Sequence, residues 1–512
     1  MQTLALLLAA ALAGNLVPEA KRAFDVPFKG EGKMGLQYVP VFFPKGTEGA
    51  VISCEVRITD VVKGEKSWFD ARIMSDFINS QCKKVAGGPN IGGWKGTKDW
   101  FEVRKAVRVP EGAHGLALMP CLFNVKSGAM SVRKLSVEPQ SKYVEDPAEK
   151  ARREAAKARF VPDEPENRAK WPKTVKVKGG RLVDPDGREV WLQGVNAGGM
   201  ETIPNGEQET KSTVVAIDGW KANCVRLPIN EAHWFGTGEY SKNDGGASFR
   251  AAVDKIVRLA ANRGAYVVID LHRFRAPKAE HVAFWKDCAA HYKDHPAVLF
   301  DLFNEPHGIS WEVWRDGGWV GKQGKHDESA FLSAEEKRKN QGFESVGMQA
   351  LVDAVRSTGA KNVVIAGGLN WANDLAGIES EAIEKGEKRS YRLTDTTGNG
   401  IMYAWHTYHW HKGWGRILPV AAKHPIFLGE VGACPHGIMN FIPNSQQEDP
   451  HTFSPDMIGF IQKHRINWTA WCFHPKAAPC MIKSWNYDPT PYWGEFVRRA
   501  LKGEKFEMKR MR

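Results

Sequence analysis

Long apolar runs are scarce in this chain of 512 residues: "LALLLAAALA" (residues 4–13) has ten, against the roughly 20 needed to span a bilayer. Eight cysteines are too few for a disulfide scaffold, and no Cys/His spacing matches a structural zinc site. Cys472 and Cys480 are close enough to pair, or to remain as two buried thiols. The formal charge is +12, yet no compact basic stripe interleaves with aromatics. "EKARREAAKARF" (149–160) mixes both signs and "KGEKFEMKRMR" (502–512) reads as a solvated end, so nucleic acid is set aside as a partner. No G-x-G-x-x-G follows the first strand-like run of the C-terminal part, which removes the dinucleotide-fold signature.

The apolar run ends in Ala11-Leu12-Ala13, a small-x-small site ahead of Gly14, although residues 1–3 carry no lysine or arginine. This predicts a secretory signal over residues 1–20, a secreted location (extracellular or periplasmic) and no integral membrane segment after its removal.

What is present is ordinary in bulk, 42% hydrophobic and 25% charged, but nineteen tryptophans stand out. They imply either ring-stacking surfaces or simply a large core. Residues 24–138 alternate short runs ("AVISCEVRIT", "SWFDARIM", "WFEVRKAVRVP", "GLALMPCLF", "SVRKLSVEP") with Gly/Pro turns, which predicts a small antiparallel β-sandwich. "GGWKGTKDWFEV" (92–103) offers it aromatics that could meet a glycan. Residues 139–173 are charged, alanine-rich and then proline-rich, and read as a linker.

From residue 174 to 512 the texture changes. Eight strand-length apolar runs recur: "VWLQGVN" (190–196), "CVRLPIN" (224–230), "YVVIDLH" (266–272), "VLFDLFNE" (298–305), "NVVIAGG" (362–368), "IMYAWHTY" (401–408), "PIFLGEVG" (425–432) and "INWTAWCF" (466–473). Amphipathic helices lie between them, such as "SFRAAVDKIVRLAANRG", closed by Gly264, and "SPDMIGFIQKHR", with Ser454 as N-cap and Pro455 at its first position. Continuous apolar runs mean strands covered on both faces, and eight of them predict a (β/α)8 TIM barrel, with an open doubly wound sheet as the alternative.

In such a barrel the chemistry sits where strands run out. Here those ends carry Arg226 and Asn230, His272, Asn304 and Glu305, His406 and Tyr408, Glu430, and Trp471. A lone histidine or arginine there is usually a satisfied hydrogen-bond partner. Two glutamates at the rim of one core are costlier to keep unless both are used. Paired carboxylates suit glycoside hydrolysis, one protonating the departing oxygen and the other attacking the anomeric carbon or activating water.

The words "FDLFNEPHG", "VVIDLH", "VRLPIN", "HTYHW", "FLGEVG" and "TAWCF", so placed over residues 175–500, resemble glycoside hydrolase family 5, the cellulase-type retaining β-glycanases. The resemblance implies Glu305 as general acid/base and Glu430 as nucleophile. Asn304 would hold the sugar's 2-hydroxyl, and Arg226 and Tyr408 would bond Glu430. His272 and His406 would line the subsite of the reacting sugar, with Trp471 as its stacking floor. It implies no cofactor, no metal, and a polysaccharide partner, β-1,4-glucan first, with β-mannan or another β-glycan as alternative.

Two other classes stay open. Sixteen histidines, including "HTYHWH" (406–411), suggest a metal-dependent hydrolase, but strand alternation turns His409 away from His406 and Tyr408. A sugar-binding barrel without turnover is the other. Trp311, Trp314, Trp371, Trp410 and Trp414 are candidate sugar platforms, and the long loops 309–331 and 435–453 would rise over the cleft.

Overall fold

A computed structural model describes residues 14–66, 68–145, 150, 161–238, 240–322, 342–379, 382–384 and 387–512. The apolar run at residues 4–13 and the part 323–331 of the loop 309–331 lie outside them. The chain divides into two compact units, residues 1–158 and 159–512.

The first unit is all antiparallel. Gly49–Val62 pairs with Gly96–Arg108 on one side and Ser127–Gln140 on the other. A second sheet is built around Ala71–Ile78 and Gly115–Leu122. Alternate residues of both sheets (Ile52, Cys54, Val56, Ile73, Leu116, Leu118) bury one shared core, as in a sandwich. Residues 15–17 belong to it: Asn15 Nδ2 donates to the Leu135 carbonyl at 2.9 Å, its Oδ1 accepts from Val137 N at 3.0 Å, and Val17 is buried. Residues 15–17 of the stretch expected as a leader thus have partners in the sandwich. In "GGWKGTKDWFEV", Trp94 packs edge-on to Phe101, and the Arg57 and Arg133 guanidiniums already lie over the Trp100 ring at 4.9 and 4.1 Å.

The second unit is a closed barrel of eight parallel strands: Gln193–Asn196, Cys224–Ile229, Tyr266–Leu271, Val298–Asp301, Val364–Gly367, Ile401–Tyr408, Ile426–Gly432 and Asn467–Ala470, numbered one to eight here. Closure comes from Gln193–Val195 pairing with Trp468–Ala470. The end of the stretch expected as linker lies against this unit. Asn262 accepts from Asn167 N at 2.8 Å and from Trp171 Nε1 at 3.1 Å, and Arg263 bonds Glu164.

Strand alternation sorts the side chains. Val225, Val267, Val298, Val364, Tyr403 and Leu428 pack in the larger cluster with helix residues such as Val253, Ile256 and Phe460. Cys224, Val268, Leu299, Ile365, Met402 and Phe427 form a second apolar cluster, the lower plug of the barrel. Two residues further along three of those same faces come Arg226, Asp270 and Asp301, so a polar layer sits on the plug.

Helix boundaries follow local chemistry, with one shift. Ala247–Ala261 ends before Gly264, which takes φ +72°. The later helix spans Pro450–His464, one turn earlier than Ser454 and Pro455 suggest. Asp449 caps it by accepting from His451 N at 2.7 Å, and Pro450 takes the first position. Ser454 is buried inside the helix and donates to the Tyr492 carbonyl at 3.0 Å. The Asp-Pro pair carries the same start signal and stands first in the chain. Among the described residues no helix is long and apolar enough to cross a membrane.

Candidate active site

The polar layer is organised by Arg226 of strand two, a cation with no solvent exposure. Its Nη1 donates to Glu430 Oε1 and to Asn196 Oδ1, both at 3.0 Å, and its Nη2 donates to Asn304 Oδ1 at 2.8 Å. Its Nε donates to Asp301 Oδ2 at 2.9 Å, and Asp270 Oδ1 lies 3.1 Å from Nη2.

Glu430 faces this layer because of a bulge. In strand seven Phe427 points into the plug and Leu428 outward, so plain alternation would send residue 430 outward too. The register with strand six slips between Trp405↔Leu428 and His406↔Glu430, which makes Gly429 the extra residue and turns Glu430 inward. The Gly429 carbonyl accepts from Thr469 Oγ1 at 2.7 Å and Asn196 Nδ2 at 2.8 Å, so the bulge leaves no orphan. A Cβ at position 429 would meet His406 Nε2 at 2.7 Å. Gly429→Ala is therefore expected to displace His406, lowering stability by an overpacking cost of about 1–3 kcal/mol and cutting activity, as thermal melts and kinetics would read. Unchanged kinetics would show that the imidazole position is unimportant.

Tyr408 Oη donates to Glu430 Oε2 at 2.5 Å. Burial first, and the carboxylate charge second, push the phenol well above its usual range, so it stays a donor. His406 Nδ1 is 2.9 Å from Glu305 Oε1 and 3.8 Å from Glu430 Oε2. Burial holds this imidazole well below its ordinary value, which leaves it uncharged. Glu305 is the more open of the two acids, with a side chain 13% exposed against 5% for Glu430. Strand four stops at Asp301, and Asn304 and Glu305 hang from strand three's edge: Asn304 N donates to the Leu271 carbonyl and Glu305 N to Arg273, both at 3.1 Å. Pro306 follows in a two-residue parallel bridge to Phe274–Arg275.

Donor atoms of Glu305, His406 and Glu430 lie within 4.8 Å of one another, so the two acids face each other at close range. His272 Nδ1 pairs with Asp270 Oδ2 at 2.7 Å, and its ring stacks on Trp471 with centroids 5.6 Å apart and planes 8° apart. Burial pushes His272 down to about 4. Eight of the nine strand-end residues singled out from the sequence thus meet at one rim, linked by contacts; Asn230 instead caps the helix Glu231–Trp234, its Oδ1 accepting from His233 N at 2.7 Å.

Asp270, Asp301, Asn196 and Gly429 escaped that reading. The aspartates carried a signal: each is an acid inside an otherwise apolar strand, two or three residues ahead of a rim residue. Nothing local marked the bulge. The tryptophan candidates separate. Trp311, Trp314 and Trp414 are core, since Ser310 caps a helix that turns both of the first two inward and Trp314 Nε1 bonds the Gly367 carbonyl at 2.8 Å. Trp371 is 42% exposed and stacks on His307 with centroids 4.3 Å apart, while Trp410 is half-buried against Tyr408. His409 turns away to Gln447, as alternation requires. Cys472 and Cys480 are both free thiols.

The chain is 24% identical over 267 residues to endoglucanase A of Butyrivibrio fibrisolvens, covering 50% of this chain and 51% of that protein. It is 23% identical over 310 residues to endoglucanase E-5 of Thermobifida fusca, covering 58% and 55%. It thus spans about half the length of these relatives. A β-glucanase of Saccharophagus degradans solved with cellotetraose superposes with TM-score 0.49 at 20% identity, over 67% of this chain and 97% of that one. A family model, Cellulase (glycosyl hydrolase family 5), matches residues 183–477, more than half of the chain and all eight barrel strands. The chain belongs to glycosyl hydrolase family 5.

Proposed function

We propose that this protein hydrolyses a β-linked polysaccharide, β-1,4-glucan foremost, by double displacement with retention of configuration. The observation that carries the reading is the Glu305/Glu430 pair, with carboxylate oxygens within 4.8 Å. Acids about 5 Å apart suit a nucleophile and an acid/base; roughly 6.5–9.5 Å would leave room for an attacking water and inversion.

In the first step a Glu430 oxygen bonds the anomeric carbon as the C–O bond to the departing sugar breaks, and Glu305 gives that oxygen its proton. In the second, Glu305 takes a proton from water, whose oxygen displaces Glu430 from the same carbon. Arg226 and Tyr408 hold the attacking carboxylate with two donors, one on each oxygen. Asn304 Nδ2 is buried and has no partner among the described residues, as a donor reserved for a sugar hydroxyl would be. His406 orients Glu305, His272 lines the same side, and Trp471 offers its indole to the ring of the reacting sugar. Trp371 and Trp410 extend the platform, and Trp371→Ala is expected to raise KM on long chains more than it lowers kcat.

A metal-dependent reading is disfavoured by charge. The Glu305–His406–Glu430 set already holds the Arg226 guanidinium 3.0 Å from Glu430, and a divalent cation there would face it. Two sugar-class relatives by name, the endoglucanases above, also support a glucan. Assays of the purified protein on cellulose, β-mannan, mixed-linkage glucan and xyloglucan, with and without EDTA, test this directly. Activity on a β-1,4-glucan unaffected by EDTA is expected; activity lost with EDTA, or none on any β-glycan, would overturn the reading. We also infer export, with release after Ala13, since Asn15–Val17 have their partners in the sandwich.

A further inference from the structure

The charge of the buried layer does not balance. Facing one another are Arg226 from strand two, Asp270 and His272 from strand three, Asp301 from strand four, His406 from strand six and Glu430 from strand seven. Arg226, Asp270 and Asp301 have no solvent exposure at all. Both histidines are uncharged, so with every acid ionised one cation would meet three carboxylates in a layer closed to water.

We infer that Asp301 is a positioning residue kept in its neutral, protonated form, and that it aims Arg226 at Glu430 and Asn304 together. The oxygens say which acid holds the proton. Asp270 meets a donor or a cation with each: Oδ2 meets His272 Nδ1 at 2.7 Å, and Oδ1, which has no hydrogen-bond partner among the described residues, still lies 3.1 Å from the Arg226 Nη2 cation. Asp301 uses only Oδ2, against Arg226 Nε at 2.9 Å, and its Oδ1 is buried with no partner among the described residues. A buried ionised oxygen with no donor or cation on it costs more than a neutral hydroxyl in the same place. Burial acts the same way on both neighbouring acids, and pushes Asp301 up to about 8.

The positioning follows from guanidinium geometry. The fork is planar, so anchoring Nε sets where both Nη groups point. With Nε on Asp301, Nη1 reaches Glu430 at 3.0 Å and Nη2 reaches Asn304 at 2.8 Å. One uncharged anchor thereby aims the group on the attacking acid and the group on the rim amide, without adding a negative charge beside Glu430.

The kinetic half rests on the hydrolase reading above; the proton does not. Infrared difference spectra of the full chain at neutral pH should show the C=O band of a buried protonated carboxyl. The wild-type-minus-Asp301→Asn spectrum is expected to contain such a band, over and above the proton carried by the general acid Glu305, and the wild-type-minus-Asp270→Asn spectrum to lack it. In kinetics, Asp301→Ala is expected to lower kcat about 100-fold with little change in KM, the cost of a misaimed group. Asp301→Asn should recover most of that loss and leave the acid limb of kcat/KM in place, whereas Asp270→Asn should move the limb to lower pH by removing a charge. No band lost on going from the wild type to Asp301→Asn, or an acid limb that moves equally in both amide variants, overturns the inference. If Asp301→Ala does not fold by circular dichroism, the two amide variants decide. If the wild type hydrolyses no glycan, the function fails while the band still reports the proton.

Discussion

Glu430→Gln is expected to abolish hydrolysis, with kcat down by about 10⁴-fold or more and KM little changed, as when a covalent nucleophile is removed. The amide fills the same space, so the lost rate reports chemistry rather than collapse. It keeps an oxygen for the Tyr408 hydroxyl or the Arg226 guanidinium, which the wild type bonds at 2.5 and 3.0 Å, but cannot attack carbon. A mechanism-based label provides the positive test. A 2-fluoro glycoside with a good leaving group should add one glycosyl mass to the wild type, on the peptide carrying Glu430, and none to the variant. Hydrolysis by Glu430→Gln within tenfold of wild type, or a label elsewhere, would remove the nucleophile and with it the retaining mechanism.

Glu305→Gln should fail differently. On natural glycan the loss is that of a general acid and base, about 10²–10⁴-fold. With an aryl glycoside whose leaving group needs no proton, the first step should remain fast and the second stall, giving a burst and then accumulation. Added azide, which attacks without help from a base, should restore turnover and yield the glycosyl azide of retained configuration. The pH profile should change too. Wild-type kcat/KM should fall at high pH as the acid loses its proton, and the variant should lose that basic limb. His272, pushed down to about 4, and His406, held well below its usual range, stay uncharged above about pH 5 and add no limb near neutrality. Equal losses on natural and activated substrates, with no azide effect, would sink the assignment.

Much of the barrel could be read in the chain because its strands are buried on both sides. Ile401–Tyr408 spans the same eight residues as the run "IMYAWHTY", and the other seven strands fall inside their runs. The rim residues were visible for the same reason, since a polar side chain at the end of an apolar run has few explanations. The helix at Pro450–His464 was misplaced by a turn because Asp449-Pro450 and Ser454-Pro455 carry one signal, and capping alone does not choose between them. The tryptophans were undecidable in sequence. Trp314 and Trp371 look alike as residues, and only packing makes one fully buried and the other 42% exposed.

The sequence by itself determined eight buried strands, a polar rim and two glutamates within it, because alternation and apolar runs are properties of neighbouring residues. Tertiary structure alone decided that those glutamates meet. Gly429 becomes a bulge only against strand six, which turns Glu430 inward, and its carbonyl is held by Asn196 and Thr469, 233 and 40 positions away. It also decided the charge of the layer beneath. An aspartate in an apolar strand says nothing of its proton until the one cation it faces, and the two other acids sharing that cation, are closed off together from water.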